Sequence, residues 1–170
     1  DSPYQSFSAR AGNPNFIDFA ELIEAGYLEQ RDIDGVYLGS DPTNVDYGAI
    51  FGGRRQILDR AAQRFATNKP ADFDAFFQAN EDWLIPFCEF RSVKEECGLR
   101  AFWEWHEELR CRGGASSKVC ADHPERMLYH QMTQYFFDRQ WSRLKAYANE
   151  RDILIIGDLP IYVSRDSVEM

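Results

Sequence analysis

The chain has 170 residues, of which 44% are hydrophobic and 15% are aromatic, so it can fill the core of one domain. Its 28 acidic and 19 basic residues give a net charge of −9, and no local cluster of Lys and Arg offsets the excess, which argues against a nucleic-acid partner. Because the sequence contains neither an apolar run of about 18 residues nor a basic and then apolar N-terminus, we expect no membrane span, no signal peptide and a cytoplasmic location.

The first stretch, DSPYQSFSARAGNP at residues 1–14, is crowded with turn formers and small polar side chains. Pro3, Gly12 and Pro14 interrupt any regular element, and hydroxyl and amide side chains such as those of Ser6 and Asn13 can bond nearby backbone groups. The pattern predicts an ordered loop.

Two helices are predicted after this loop. Apolar residues recur at three- and four-residue steps in FIDFAELIEAGYL, which predicts a helix over residues 18–25 with Asp18 near its start and Gly26 after its end. A polar connector, DIDGVYLGSDPTN, follows. The second helix lies in VDYGAIFGGRRQILDRAAQRFAT, and its apolar face is formed by Ile50, Ile57, Leu58, Ala61, Ala62 and Phe65.

The middle of the chain is rich in aromatic residues. ADFDAFFQANEDWLIPFCEFRSVKEECG has helical spacing that is interrupted at Pro86, where we expect either a helix start or a kink. FWEWHEELR predicts a short helix, and RGGASSKVCADHP predicts an irregular crossing.

Four cysteines form two pairs, Cys88 with Cys97 and Cys111 with Cys120, and eight residues separate the members of each pair. His123 follows Cys120 closely, but a zinc site would need the tighter spacing of about two to four residues in both halves. Free thiols are our expectation for an intracellular chain, with disulfides and a metal site as the alternatives.

The strongest pattern begins at Pro124, which suits the first position of a helix. The apolar face of this longest predicted helix continues to about residue 150 and comprises Leu128, Met132, Tyr135, Phe136, Leu144, Tyr147 and Ala148.

Four aliphatic residues follow at 153–156, and such a short run predicts a fully buried parallel strand. A helix followed by a buried strand favours an α/β barrel or layered sheet over a helical bundle. Since no second strand of similar quality is found, we expect the chain to be a segment of a larger protein.

Three long motifs, in this order, resemble the 4-α-glucanotransferases, also called amylomaltases or disproportionating enzymes. They are SPYQSFSARAGNPNFIDFAEL, VDYGAIF and FFDRQWSRLKAYANERDILIIGDLPIYVSRDS. The resemblance covers nearly the whole chain and implies membership of the α-amylase superfamily of barrel enzymes.

The resemblance implies an α/β fold class, a segment of a (β/α)8 TIM barrel with a mostly helical insertion between the second and third barrel strands. Residues 1–17 would be the substrate-cleft loop after strand 2, and residues 18–121 would be the helical inserted subdomain. Residues 122–170 would be a barrel helix, strand 3 and the loop that follows it.

The resemblance also implies which residues contact substrate. Tyr4 is similar to the tyrosine that stacks on the sugar on the donor side of the cleaved bond, although a tyrosine could also simply cover the loop. Asp158, after the predicted strand, resembles the aspartate that accepts hydrogen bonds from sugar hydroxyls, the alternative being a loop cap. Asp166, with Ser167, more often braces the following loop than contacts sugar. Ser2 and Gln5 are weaker candidates for substrate contact.

The family chemistry uses a nucleophilic and an acid/base carboxylate roughly 5 Å apart, with retention of configuration. A second glucan, instead of water, would release the covalent glycosyl intermediate. The catalytic motifs of the family lie further along its chain, so no catalytic residue is expected within this segment, which should be inactive alone. No cofactor and no metal are implied. The expected partners are maltooligosaccharides, α-1,4-glucans and the remainder of the barrel.

Two other functions fit parts of the sequence. A non-catalytic glucan-binding module would explain the missing catalytic motifs, but a lone buried strand argues against an independent module. A helical protein-interaction domain would explain the middle of the chain and leave Tyr4 and Asp158 without a role.

Overall fold

The computed structural model describes residues 5–41, 43–157 and 162–170, and in these parts the chain forms helices and turns without a β-strand. The α-helices are α1 (Phe19–Glu24), α2 (Gln30–Ile33), α3 (Tyr47–Thr67), α4 (Phe73–Glu96), α5 (Gly114–Asp122) and α6 (Pro124–Asn149). Short 3-10 turns lie at Pro14–Phe16, Phe102–Glu104 and Glu107–Leu109. Of the helices in this described part, none has the length and apolar character needed to cross a membrane.

The first two predicted helices are confirmed as α1 and α3. Asp18 caps α1 by accepting a hydrogen bond from the Ala20 N–H at 2.9 Å, and Asp46 caps α3 in the same way from the Ala49 N–H at 2.9 Å. The predicted apolar face of α3 is buried from Ile57 onward. Local capping and helical periodicity therefore determine both elements.

The aromatic-rich segment forms one continuous helix, α4, which runs through Pro86. A proline inside a helix loses one backbone hydrogen bond and crowds the preceding turn. Here Leu84, Phe87 and Cys88 are buried on either side of it, in a small core with side chains of α6 and the N-terminal residues. Burying a large apolar side chain contributes roughly 1.5–3 kcal/mol, and this packing offsets the local cost of the proline.

The prediction between residues 100 and 123 is wrong in two places. The expected short helix in FWEWHEELR is a pair of 3-10 turns, and the expected irregular crossing contains the helix α5. Gly113 and Gly114 have positive φ angles of 95° and 53° and form the turn that leads into α5. The Ser116 hydroxyl then donates to the Cys111 and Gly113 carbonyls, both at 2.9 Å, which fixes this turn.

The longest predicted helix is confirmed as α6, with Pro124 at its first turn. Met132, Tyr135 and Phe136 are buried as predicted, whereas Leu144 and Tyr147 are exposed by 54% and 56%. The N-terminal half of α6 thus packs in the core, and its C-terminal half leaves apolar side chains on the surface.

The predicted buried strand at 153–156 is not formed in this structure. These residues have no strand pairing, and Leu154 and Ile156 are 82% and 93% exposed. A parallel strand needs neighbouring strands, and within residues 5–41, 43–157 and 162–170 there is none to pair with. The described residues are accordingly a helical assembly, against the sequence-based preference for an α/β layer.

The main core lies where α1, α3 and α6 meet. It consists of Ile17, Phe19, Leu22, Tyr27, Leu28, Ile57, Leu58, Ala61, Ala62, Phe65, Phe73, Tyr129, Met132, Tyr135 and Phe136. Phe65 is at its centre, with ring centroids 5.0 Å from Phe73 and 5.9 Å from Phe136 in edge-on geometry.

A buried polar network connects α3, α4 and α6 beside this core. The Glu95 carboxylate of α4 accepts from the Arg55 guanidinium of α3 at 2.7 and 3.1 Å and pairs with Nε2 of His130 in α6 at 2.8 Å. Arg55 also donates to Asp59 at 2.9 Å. Since the ionised Glu95 can only accept, Nε2 of His130 carries the hydrogen.

The network shifts two pKa values. Burial lowers the pKa of His130 to about 4, and nearby Arg91 adds to this, while the hydrogen bond to Glu95 opposes it without reversing it. Burial alone would raise the pKa of Glu95, but the hydrogen bonds from His130 and Arg55 outweigh it and lower that pKa. The network therefore favours a neutral imidazole beside an ionised carboxylate.

The buried His130 predicts a pH-dependent stability. Between about pH 6.5, the ordinary pKa of histidine, and pH 4, the unfolded chain binds a proton that folded His130 does not, so stability is full above this window and falls as the pH is lowered through it. His130→Gln keeps an N–H donor for Glu95 and should flatten the melting temperature against pH from 7 to 4.5. The exposed His106→Gln is the control and should follow the wild type. Parallel curves for His130→Gln and the wild type would contradict this account.

Candidate functional site

The five residues predicted to contact substrate divide into two groups. Ser2, Tyr4 and Asp158 lie outside the described residues. Gln5 is exposed at the start of the described part, and Asp166 is partly buried near its end. We refer to residues 5–17 as the N-terminal loop and to residues 162–170 as the C-terminal loop.

The two loops contact each other directly. The Val168 N–H donates to the Phe7 carbonyl at 3.0 Å. One carboxylate oxygen of Glu169 accepts from the Ser8 hydroxyl at 3.0 Å and from the Ala9 N–H at 2.7 Å. The residues that follow Tyr4 in the sequence are therefore bonded to residues that follow Asp158, although the two regions lie at opposite ends of the sequence.

Helix α6 holds the N-terminal loop at Gly12. The buried Gln134 amide forms two hydrogen bonds with this residue: its oxygen accepts from the Gly12 N–H at 2.7 Å, and its nitrogen donates to the Gly12 carbonyl at 3.0 Å. The Gly12 Cα faces the Phe137 ring so closely that a Cβ atom would overlap it. A glycine is required here because the backbone itself lies against the aromatic ring.

Helix α4 holds the C-terminal loop at Asp166. The Lys94 ammonium, whose side chain is 2% exposed, donates to Oδ2 of Asp166 at 2.7 Å and to the Arg100 carbonyl at 2.8 Å. The other carboxylate oxygen of Asp166 accepts from the Phe102 N–H at 3.0 Å. This arrangement braces the loop, and the contact between Asp166 and sugar stays a prediction.

The four cysteines are free in this structure. Burial raises the pKa of the Cys88 thiol, and Cys120 adds to the shift, so Cys88 is held as an uncharged thiol instead of a nucleophilic thiolate. In the described part of the chain, no group of three or more His, Cys, Asp or Glu side chains is placed to hold a metal ion.

One hollow in the described surface is separate from the two loops. It encloses about 490 Å³ and is lined by Leu38, Gly39, Ser40, Asp41, Asn44, Val45, Asp46 and Ile50. The hollow therefore lies between the polar connector and the first turns of α3.

Sequence reasoning missed Lys94, Gln134 and Glu169, which hold the loops in place. For Lys94 a signal was present: it follows Phe87 and Phe90 and precedes Cys97 at the spacing of an apolar helix face, where a lysine has to find a buried partner. Gln134 similarly lies among the buried residues of α6. Glu169 carries no comparable signal, because its partners are 160 and 161 residues away.

The chain is similar to known proteins along its whole length. The profile of a family described as 4-alpha-glucanotransferase matches residues 1–170. Curated relatives of that name are 45% identical over 173 residues in Streptococcus pneumoniae serotype 4 and 36% identical over 175 residues in Thermus thermophilus. Each alignment covers 100% of this chain and 34% of the relative, so the chain spans about a third of the length of these proteins.

A solved structure shows the same arrangement of the chain. The amylomaltase from Streptococcus agalactiae, in complex with acarbose, superimposes with a TM-score of 0.91 at 43% sequence identity. The match covers 99% of this chain and 35% of that protein.

The contact between Gly12 and Phe137 can be tested by substitution. Gly12→Ala should destabilise the protein by roughly 1–3 kcal/mol, because the added methyl group overlaps the Phe137 ring and displaces the N-terminal loop. Phe137→Leu in the same chain should recover part of this loss, as thermal melts of the single and double variants would show.

Gly52→Ala is the matched control. Gly52 lies exposed in α3 with nothing within 4 Å of the new Cβ position, so alanine should stabilise this helix by roughly 0.5–1 kcal/mol. A Gly12→Ala protein as stable as the wild type would show that the loop does not depend on this contact.

Proposed function

Because the chain belongs to the 4-alpha-glucanotransferase family, whose profile matches it over residues 1–170, we propose that it is a segment of an enzyme that transfers α-1,4-glucan units between maltooligosaccharides. This match carries the proposal. The acarbose complex of the similar amylomaltase supports a saccharide ligand.

We assign the segment to a (β/α)8 barrel. Residues 1–17 form the loop after barrel strand 2, residues 18–121 the helical insertion, and residues 122–170 a barrel helix, strand 3 and its loop. The exposed aliphatic residues 153–156 support this, since four such side chains in a row need cover from neighbouring strands. The exposed Leu144 and Tyr147 of α6 need cover in the same way.

Substrate contact is assigned to Tyr4 and Asp158, with Ser2, Gln5 and Asp166 as weaker contributors. The hydrogen bonds that join residues 7–9 to residues 168 and 169 support a common site, because they connect the segments that follow Tyr4 and Asp158 in the sequence. Tyr4 stacks on a sugar ring on the donor side, and Asp158 accepts hydrogen bonds from sugar hydroxyls.

The proposed reaction has two steps. A carboxylate in the remainder of the enzyme displaces the leaving glucan, which a second carboxyl group protonates as general acid. The 4-hydroxyl of an acceptor glucan then attacks the glycosyl intermediate and frees the first carboxylate, while the second carboxylate takes up the hydroxyl proton as general base. The two carboxylates lie about 5 Å apart, as retention requires. Neither is among residues 1–170, the reaction needs no cofactor, and the enzyme acts in the cytoplasm.

The two other functions are less well supported. A glucan-binding module would act without the remaining two thirds of the relatives' length, and a helical interaction domain gives no role to the loops joined at Phe7 and Val168.

An assay with maltotriose tests the function. The full-length enzyme should convert maltotriose into glucose and longer maltooligosaccharides with little net hydrolysis, while the purified 170-residue segment should leave it unchanged. Chromatography of the products checks both expectations. Transfer by the segment alone would mean that the catalytic groups are misassigned, and hydrolysis alone by the full-length enzyme would exclude a transferase.

Tyr4→Ala tests the stacking role. In the full-length enzyme it should lower kcat/KM for maltotriose by about 5- to 150-fold, which corresponds to roughly 1–3 kcal/mol, while the melting temperature changes little. Phe16→Ala removes a 77% exposed aromatic ring from the N-terminal loop and should leave the rate unchanged. An unchanged rate together with a lowered melting temperature for Tyr4→Ala would make this tyrosine a structural residue.

A further inference from the structure

The Lys94 ammonium is the most deeply buried charge on α4. It lies on the apolar side of the helix with Phe90 and Val93, and its side chain is 2% exposed. A charge taken out of water is costly unless it is paired and hydrogen-bonded, and here Asp166 and the Arg100 carbonyl supply two acceptors at 2.7 and 2.8 Å. The ammonium therefore has a fixed position.

The same ammonium also faces the N-terminal loop. Its nitrogen is 4.9 Å from the centroid of the Phe7 ring, within the range of a cation–π contact. The Arg91 guanidinium lies 4.5 Å from this ring, and the Phe90 ring centroid is 6.4 Å away. Lys94 thus contacts Phe7 of one loop and Asp166 of the other.

We propose that Lys94 is a positioning residue for the glucan site: its ammonium fixes the N-terminal loop through Phe7 and the C-terminal loop through Asp166. The proposal rests on the glucanotransferase function and adds to it a role for the helical insertion, from which Lys94 comes.

Stability alone is a weak reason for this lysine. Apolar residues that replace both members of a buried ion pair often leave a protein equally stable or more so, and a methionine at position 94 with an uncharged residue at position 166 would fill similar space beside Phe90 and Val93. A methionine could not, however, donate to a carboxylate of one loop while facing an aromatic ring of the other. The ammonium makes directional contacts with both loops and so orients them relative to each other, which apolar packing does not.

The two loops are hydrogen-bonded to each other, so a displacement of one loop also displaces the other. Val168 of the C-terminal loop donates to the Phe7 carbonyl, two residues along the chain from Asp166. A shift of about 1 Å in groups that orient a substrate can cost as much as 100-fold in rate. Loss of the Lys94 contacts should therefore displace both loops and, through them, the groups that orient the substrate.

The test uses Lys94→Met in the full-length enzyme with maltotriose. We expect kcat to fall by about 10- to 100-fold at a temperature at which the variant is fully folded, with a smaller change in KM. Glu95→Gln is the matched control: it alters a buried ion pair at the next position of α4, which faces Arg55 and His130 instead of the loops. It should lower the melting temperature and leave kcat within about threefold of the wild type.

A double-mutant cycle with Tyr4→Ala separates positioning from folding. If Lys94 acts on Tyr4 through the N-terminal loop, Lys94→Met should lower kcat by a factor at least severalfold smaller in the Tyr4→Ala background than in the wild type. An equal loss in both backgrounds, an equal loss for Glu95→Gln, or an unchanged kcat in Lys94→Met would overturn the proposal.

Phe7→Leu keeps the proposal testable if Lys94→Met does not fold. It retains the ion pair and an apolar contact with Phe90 but removes the ring that Lys94 faces, so kcat should fall by about 3- to 10-fold, again less in the Tyr4→Ala background. An unchanged kcat would overturn the proposal.

A wild-type enzyme that does not disproportionate maltotriose would refute the function itself, whereas an active wild type with an unaffected Lys94→Met would refute only the role of Lys94.

Discussion

The structure depends on the Glu95 carboxylate, which α4 buries between α3 and α6. An ionised carboxylate in this position must have its oxygens satisfied, and Arg55 and His130 satisfy them with one side chain from each neighbouring helix. Apolar packing alone would tolerate small sliding movements between helices. A directional network at the crossing of three helices does not, so the positions of α4 and α6 are fixed there.

The two loops take their positions from these helices. Helix α6 holds Gly12 by the Gln134 amide, and α4 holds Asp166 by Lys94. Apart from the 3-10 turn at Pro14–Phe16, the described residues of the two loops contain no helix or strand that could define their paths. The paths of both loops at Gly12 and Asp166 are therefore set by polar side chains of α4 and α6.

Much of the helical structure could be predicted from the sequence, because caps and periodicity are local. Asp18 and Pro124 mark helix starts by their own chemistry. Whether residues 153–156 form a strand could not be predicted from the local sequence, because the hydrogen-bond partners of a parallel strand lie on neighbouring strands. The family resemblance suggested the site residues, but the polar groups that hold the loops escaped notice because their partners are distant in sequence, as for Glu169 and Ser8.

The junction of the loops also has a consequence for folding. The hydrogen bond between Ser8 and Glu169 closes a separation of 161 residues, whereas α3 and α4 are neighbours along the chain. A contact between residues distant in sequence costs more conformational entropy to close than a local contact does. Such contacts therefore tend to form late in folding and to open early in unfolding. We therefore expect the helices to assemble first and the loops to close last. Under mild denaturing conditions the same order runs in reverse, so that the two loops separate while the helical core is still intact.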